Sequence, residues 1–137
     1  MTRPAQNLEP VIEIAERRRD EALAECARLQ TEQRQAQEQM DQLVTYADEA
    51  NRRWAERGAA GVDVTLLMHH RQFMAKLDNA MAFQQDVLAD RAQRVQRATA
   101  AMQEAERDLA SLRKYAARQI EAWQQTLQRR EQKHTDE

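Results

Sequence analysis

The sequence predicts an all-α protein, an antiparallel two-helix coiled-coil hairpin in which the second helix is the longer one. Three observations lead to this fold: the composition, two long heptad seams, and the position of the only two glycines between those seams. The 137 residues are rich in Ala, Glu, Gln, Arg and Leu, while aromatic residues make up 4% and charged residues 32%. This composition is typical of long helices, because a compact globular core needs more large apolar side chains.

The first helix is predicted from apolar residues that recur at alternating steps of four and three residues between Leu8 and Trp54. Twelve of these fourteen positions are apolar, which indicates a sustained heptad seam. We place this helix at about residues 8–56. The seam positions are Leu8, Ile12, Ala15, Arg19, Ala22, Cys26, Leu29, Gln33, Ala36, Met40, Leu43, Ala47, Ala50 and Trp54.

The second helix is predicted at about residues 64–134 from a similar seam that begins at Met74. Twelve of its seventeen positions are apolar, and near its end Ile120 and Leu127 drift off the strict heptad. Such a drift is expected where no partner helix imposes 3.5 residues per turn. The positions are Met74, Leu77, Met81, Gln84, Leu88, Arg91, Val95, Ala98, Met102, Ala105, Leu109, Leu112, Ala116, Gln119, Trp123, Thr126 and Arg130.

The link between the seams, at about residues 57–63, contains Gly58 and Gly61, the only glycines in the chain. A short link lets the chain fold back on itself at little entropic cost, so we expect residues 1–137 to form a single coiled-coil hairpin. A bend near residue 60 places Leu43 opposite Leu77. The C-terminal segment, which comprises the residues after about Ala116, is then left without a partner in the hairpin. Its apolar residues are Ile120, Trp123 and Leu127.

Several function classes are disfavoured by the sequence. The net charge of -2 gives no overall attraction to nucleic acid or anionic membrane, and no stretch is apolar enough to span a bilayer. A Gly-rich phosphate loop and a metal-spaced Cys/His set are both missing, and the adjacent His69 and His70 point about 100° apart on a helix. A single cysteine, Cys26, fits a reducing cytoplasm. We therefore expect no enzyme, no cofactor and no bound metal.

The few aromatic residues indicate where a partner would bind. Tyr46 and Phe73 fall at nearly the same height in the predicted hairpin, where they join Leu43, Leu77 and Ala80 in an apolar patch. Such a patch either binds a partner or simply closes the end of the core, and the residues alone leave both readings open. Trp123 raises the same question for the C-terminal segment, since an unpaired amphipathic helix tends to find a partner elsewhere.

Three stretches resemble the flagellar export protein FliJ family. They are "LEPVIEIAERRRDEA" at the start, "QMDQLVTYADEA" before the link, and "RQFMAKLDNAMAFQQ" at the opening of the second helix. The resemblance covers most of the chain. It implies a cytoplasmic protein, peripheral at the inner face of the membrane, that acts as a stalk-like part of the flagellar type III export apparatus.

The resemblance also implies partners and the residues that bind them. The termini would insert into the ring of the export ATPase FliI, with Ile120, Trp123 and Leu127 as contacts; the ATPase regulator and export chaperones are further candidate partners. The export gate protein FlhA would bind a patch near the tip of the hairpin, which we call the aromatic patch. Its residues are Gln39, Leu43, Tyr46, Phe73, Leu77 and Ala80. Ala50 and Gln84 depart from the family pattern, in which Tyr and His can occur, and this leaves the outer edge of the patch less defined.

Three other readings remain open from the sequence. The chain is also compatible with the equivalent stalk protein of a virulence-type injectisome. It is compatible too with a generic scaffold whose seams pair between two chains, although we expect a monomer in isolation. A nucleic-acid-binding hairpin is disfavoured, because the arginines of this chain are interleaved with acidic residues rather than gathered in one basic stripe.

Overall fold

The structure, a computed structural model, describes residues 7–58 and 60–136 and consists of two long α-helices. Helix α1 spans Glu9–Gly58, with 50 residues, and helix α2 spans Val64–Asp136, with 73 residues. The described residues contain no β-strand. The predicted all-α helical hairpin with a longer second helix is confirmed.

The contacts between the helices fall into two compact units, and each is described by itself. The loop unit, Arg28–Gln96, contains the end of α1, the link and the start of α2. The terminal unit contains α1 up to Ala27 and α2 from Arg97 onward. The organisation of residues 1–137 as a single domain stays a prediction.

The core of the terminal unit is built mainly from small side chains. Leu109 is the most deeply buried side chain, with 2% of its surface exposed. The sulfur atom of Cys26 lies 3.6 Å from the hydroxyl oxygen of Thr99. The other buried residues of this unit are Ala15, Ala98 and Ala116. Alanine buries little apolar area, so Leu109 supplies a large part of the burial here.

The core of the loop unit combines aliphatic residues with one polar side chain. Leu29, Ala36, Ala47 and Leu77 are buried, and so is Gln84, of which 8% is exposed. A polar residue in a seam must satisfy its hydrogen bonds within the protein, because burial without a partner is costly. Gln84 does so, as described below.

The seam positions derived from the heptad spacing agree closely with the observed burial. All fourteen seam positions in α1 are buried or half-buried, as are fifteen of the seventeen in α2; Thr126 and Arg130 are exposed. The α2 seam also extends further back than the sequence indicated, because Leu67 and His70 are half-buried at the same three- and four-residue spacing. The apolar periodicity therefore places the contact face of both helices.

The link requires one of the two glycines for its backbone conformation. Gly61 has a φ of 88°, in the left-handed region that favours glycine, whereas Gly58 is the last residue of α1 and does not have a positive φ. Asp63 occupies the N-cap position of α2, since its carbonyl oxygen accepts a hydrogen bond from the Leu67 amide at 3.1 Å. At the start of α1 the corresponding carbonyl belongs to Leu8, which accepts from the Ile12 amide at 2.9 Å.

Candidate functional site

The aromatic patch is centred on an edge-to-face pair between the two helices of the loop unit. The ring centroids of Tyr46 and Phe73 are 5.7 Å apart, and the ring planes are inclined by 65°. This is a favourable geometry, because the positive edge of one ring meets the negative face of the other. Even so, 53% of Tyr46 and 37% of Phe73 are exposed. The pair therefore links the helices while presenting aromatic surface to solvent.

The aliphatic residues of the patch lie closer to the seam than this pair and are less exposed. Leu77 is buried, whereas Leu43 and Ala80 are half-buried. Leu43 also lines a shallow depression with Tyr46 and Gln39. Seam packing holds these aliphatic residues in place, so the exposed rings are the residues available to a partner.

Two glutamine side chains, Gln39 and Gln84, form the edge of the patch that lies farther from the link in sequence. The Gln84 Nε2 atom donates to the carbonyl oxygen of Ala36 at 2.9 Å and to Oε1 of Gln39 at 3.3 Å. Gln84 is buried but Gln39 is exposed. Gln84 therefore ties α2 to α1 and orients the exposed Gln39 side chain toward the patch.

Tyr46 lies at the junction of three surface depressions in the loop unit. One also contains Gln39, Leu43 and Gln84; a second contains Asp41 and Glu49. The third contains Phe73 together with a second ring pair, Trp54 and His70, whose centroids are 4.4 Å apart and whose planes are within 5° of parallel. A tyrosine in this position can contact a partner that enters from any of the three sides.

The stacked Trp54 and His70 pair was missed by sequence reasoning. The structure separates the two adjacent histidines: His69 is exposed and His70 is half-buried in the seam. The signal that would have found it is the spacing, because His70 precedes Met74 and follows Leu67 at heptad steps.

The apolar residues of the C-terminal segment lie in the terminal unit on α2. Ile120, Trp123 and Leu127 are all half-buried rather than fully exposed. The indole nitrogen of Trp123 is buried and has no hydrogen-bond partner among the described residues. Because this nitrogen is buried, only a rearrangement of the side chain would bring it to an acceptor on a partner.

A comparison with protein families shows which family the chain belongs to. The family described as flagellar FliJ protein matches residues 4–137, essentially the whole chain. The chain belongs to the FliJ family. Its members are non-catalytic components of the flagellar type III export apparatus, and the family resemblance seen in the sequence is thereby confirmed.

Two further comparisons give no additional relatives of this FliJ-family chain. Neither the curated proteins nor the solved structures include a significant match. The roles of individual residues are therefore argued from the geometry of this chain.

The described part of this FliJ-family chain offers no metal site and no membrane-spanning segment. Within residues 7–58 and 60–136, no group of three or more His, Cys, Asp or Glu side chains is arranged to hold a metal ion. In the same ranges neither helix has a stretch that is long and apolar enough to cross a bilayer. The thiol of Cys26 is buried in the seam against Thr99, so it packs as a small apolar group.

Proposed function

We propose that this chain is a cytoplasmic, stalk-like component of the flagellar export apparatus, peripheral to the membrane through its partners. Its aromatic patch binds the export gate protein FlhA, and its two termini insert into the ring of the export ATPase FliI. The ATPase regulator and export chaperones are further partners. The observation that carries the proposal is the exposed Tyr46 and Phe73 pair next to aliphatic residues that are held in the seam.

The aromatic patch has the properties of a binding site rather than of a simple core end. Aromatic side chains are enriched among the residues that contribute most to protein interfaces, because they bury a large area at low entropic cost. Tyr46 and Phe73 already restrict each other by ring contact, so they lose little further freedom on binding. Gln39 adds a hydrogen-bonding group whose position is set by Gln84.

The gate assignment is tested by alanine variants that leave the core intact. Phe73→Ala and Tyr46→Ala remove exposed rings, whereas Leu77→Ala would also destabilise the protein because Leu77 is buried. The matched control is Tyr115→Ala, which removes an exposed aromatic residue in the terminal unit. We expect the first two variants to lose roughly tenfold or more in affinity for the cytoplasmic domain of the gate protein, and the control to bind normally.

The result that would overturn the gate assignment is equally definite. If Phe73→Ala and Tyr46→Ala keep wild-type helicity and still capture the gate domain as well as the Tyr115→Ala control, the patch does not bind the gate. Circular dichroism of each variant, recorded beside the binding measurement, separates loss of a contact from loss of the fold.

The ATPase assignment rests on the C-terminal segment. Its apolar residues are half-buried, so each keeps part of its surface available to a partner. A truncation after Ala116 and the variant Trp123→Ala should both reduce stimulation of ATP hydrolysis by the export ATPase. The control is Gln124→Ala, on an exposed neighbouring position. Full stimulation by the truncated chain would remove this assignment.

The dimerising alternative is not favoured by the observed packing. In each unit the seam of α1 faces the seam of α2 within one chain, so the residues that would drive dimerisation are already used. Sedimentation of the purified protein should therefore give a monomer of 16.0 kDa.

A further inference from the structure

The aromatic patch lies in the most acidic part of the chain. Residues 35–51 of α1 contain four acidic side chains and no Lys or Arg: Glu38, Asp41, Asp48 and Glu49. Across from them, residues 72–90 of α2 contain three acidic side chains and one basic, which are Asp78, Asp86, Asp90 and Lys76. These two segments together carry a net charge of −6, whereas the whole chain carries -2. The acidic character is therefore concentrated around the patch.

The structure brings this charge into contact with the exposed rings. Asp41 and Glu49 line the same shallow depression as Tyr46. Two of the acids in the segments have local partners, since Asp90 pairs with Arg91 and Arg94 and Glu49 lies 3.9 Å from Arg53. The apolar surface at the centre of the patch is thus bordered by carboxylates that a partner meets first.

A further exposed aromatic side chain, Phe83, lies on α2 beyond the six residues of the aromatic patch. This side chain is 70% exposed, and it lies three residues after Ala80, so the two share a face of α2. From Phe73 to Phe83 the helix advances ten residues, which is about 15 Å at 1.5 Å per residue. A partner segment of about three helical turns matches this length.

We propose that the partner segment bound by the aromatic patch is a basic amphipathic stretch of polypeptide, with Lys or Arg beside apolar anchors, and that Phe83 belongs to the same binding surface. This inference rests on the proposed function and adds the chemistry of the bound segment. Complementary charge at the rim steers association and selects the partner, while the rings supply the buried contact. The same carboxylates disfavour an anionic lipid surface, because like charges repel.

The charge becomes balanced toward the link, and this gives the bound segment a direction. The depression shared by Tyr46 and Phe73 is lined by Arg53 and Arg57 and also by Glu49 and Glu56. The basic residues of the segment therefore lie toward Asp86 and Phe83, and its neutral end lies toward the link.

The test uses the full chain and a pair of synthetic amphipathic helical peptides with the same apolar positions, one carrying Lys and the other Glu at the polar positions. Binding is followed by fluorescence anisotropy of the labelled peptide. We expect the Lys peptide to bind, the Glu peptide not to bind, and the affinity of the Lys peptide to fall as salt is added. Phe73→Ala and Phe83→Ala should each weaken it by about tenfold.

Charge variants locate the effect on one face. Asp41→Asn with Asp86→Asn removes two charges beside the patch: Asp41 lines the depression of Tyr46, and Asp86 is three residues after Phe83. The matched control is Asp48→Asn with Asp78→Asn, since neither of these side chains lines any of the three depressions described around Tyr46. We expect the first pair of substitutions to lower the affinity for the Lys peptide about 3- to 10-fold. The control pair should change this affinity less than about twofold.

Each other outcome overturns the proposal. Equal binding of the two peptides excludes a charge preference, and equal losses in both pairs of charge variants exclude a local one. Binding of anionic lipid vesicles that Phe73→Ala abolishes would assign the patch to a membrane instead.

Repeating the charge variants with the gate domain separates this proposal from the proposed function. If the gate domain binds through Phe73 but ignores both salt and Asp41→Asn with Asp86→Asn, the basic segment is wrong and the gate assignment stands. If the Lys peptide binds as expected but the gate domain does not, the gate assignment fails and the chemistry of the bound segment stands.

Discussion

The loop unit and the terminal unit use the same kind of heptad seam but surround it with different side chains. In the loop unit the seam includes a buried Gln84, and the exposed rings of Tyr46 and Phe73 stand beside it. In the terminal unit the buried seam residues are Leu109, which is 2% exposed, together with Cys26 and three alanines. The comparison shows that the seam specifies how the helices pair, while the flanking positions specify what the surface can bind.

The largest expected effect comes from Leu109, where the terminal unit depends on one large side chain. Leu109→Ala should lower the free energy of unfolding by about 2–4 kcal/mol, because it removes most of a fully buried side chain and leaves a cavity. The counterpart in the loop unit, Leu77→Ala, should cost less, since the aromatic pair beside Leu77 can move toward the vacated volume. Urea unfolding followed by circular dichroism measures both. A smaller loss for Leu109→Ala than for Leu77→Ala would contradict this difference between the units.

Alanine substitutions at the two glycines of the link should have smaller effects on stability, and the two effects should have opposite signs. Gly61→Ala should destabilise the protein by about 1 kcal/mol, because alanine strains at a φ of 88°. Gly58→Ala should stabilise it by about 0.5 kcal/mol, because Gly58 is helical and an added Cβ would meet nothing within 4 Å. Thermal unfolding of the two variants gives the comparison directly. The same sign for both would show that the link is not fixed by Gly61.

The sequence allowed the helices and their contact faces to be predicted because heptad periodicity is a local property. Each seam position in α1 follows from spacing alone, and all of them are buried or half-buried. Gly58 and Gly61, by contrast, look equivalent in the sequence, because the backbone angle that separates them depends on the path of the link. The contact of Cys26 with Thr99 was not predicted either, since a simple count from the bend carries no packing information.

The aromatic patch was predictable to a lesser extent. Tyr46 and Phe73 were placed together by counting from the bend, and their ring contact agrees with that count. The role of His70 was not predictable by residue type, because its burial depends on stacking with Trp54. The hydrogen bonds of Gln84 to Ala36 and Gln39 also depend on the rotation of α2, which a periodic pattern specifies only within a turn. The roles of these residues in binding stay predictions.

Gln84 provides the next test, because it separates stability from binding in the loop unit. Gln84→Leu should change the free energy of unfolding by less than about 1 kcal/mol. The replacement fills the seam, Ala36 keeps its helical hydrogen bond, and Gln39 is exposed to water. Gln84→Ala should be the less stable of the two by about 1 kcal/mol, because it leaves a gap. Urea unfolding measures this order.

The same Gln84→Leu variant should weaken gate binding several-fold although it is folded, since Gln39 loses the amide that orients it. A gate affinity equal to the wild type would show that Gln84 acts in helix pairing alone. A large loss of stability on Gln84→Leu would show the reverse, namely that the polar seam position contributes substantially to the stability of the loop unit.

The smallest expected effect concerns the ion pairs that join the helices at the surface. In the terminal unit Arg113 donates to Oε1 of Glu16 at 3.3 Å, and in the loop unit Arg91 lies 4.0 Å from Glu32. Arg91 is also held by Asp90 at 2.7 Å, and Glu32 by Arg28 at 2.8 Å. Double-mutant cycles should therefore give a coupling of about 0.5 kcal/mol or less for Glu16 and Arg113, and a still smaller one for Glu32 and Arg91. Both couplings should vanish at high salt, because the four side chains are at least partly exposed. A coupling above about 1 kcal/mol that persists in salt would mean that charge pairs, rather than the seam, hold that unit together.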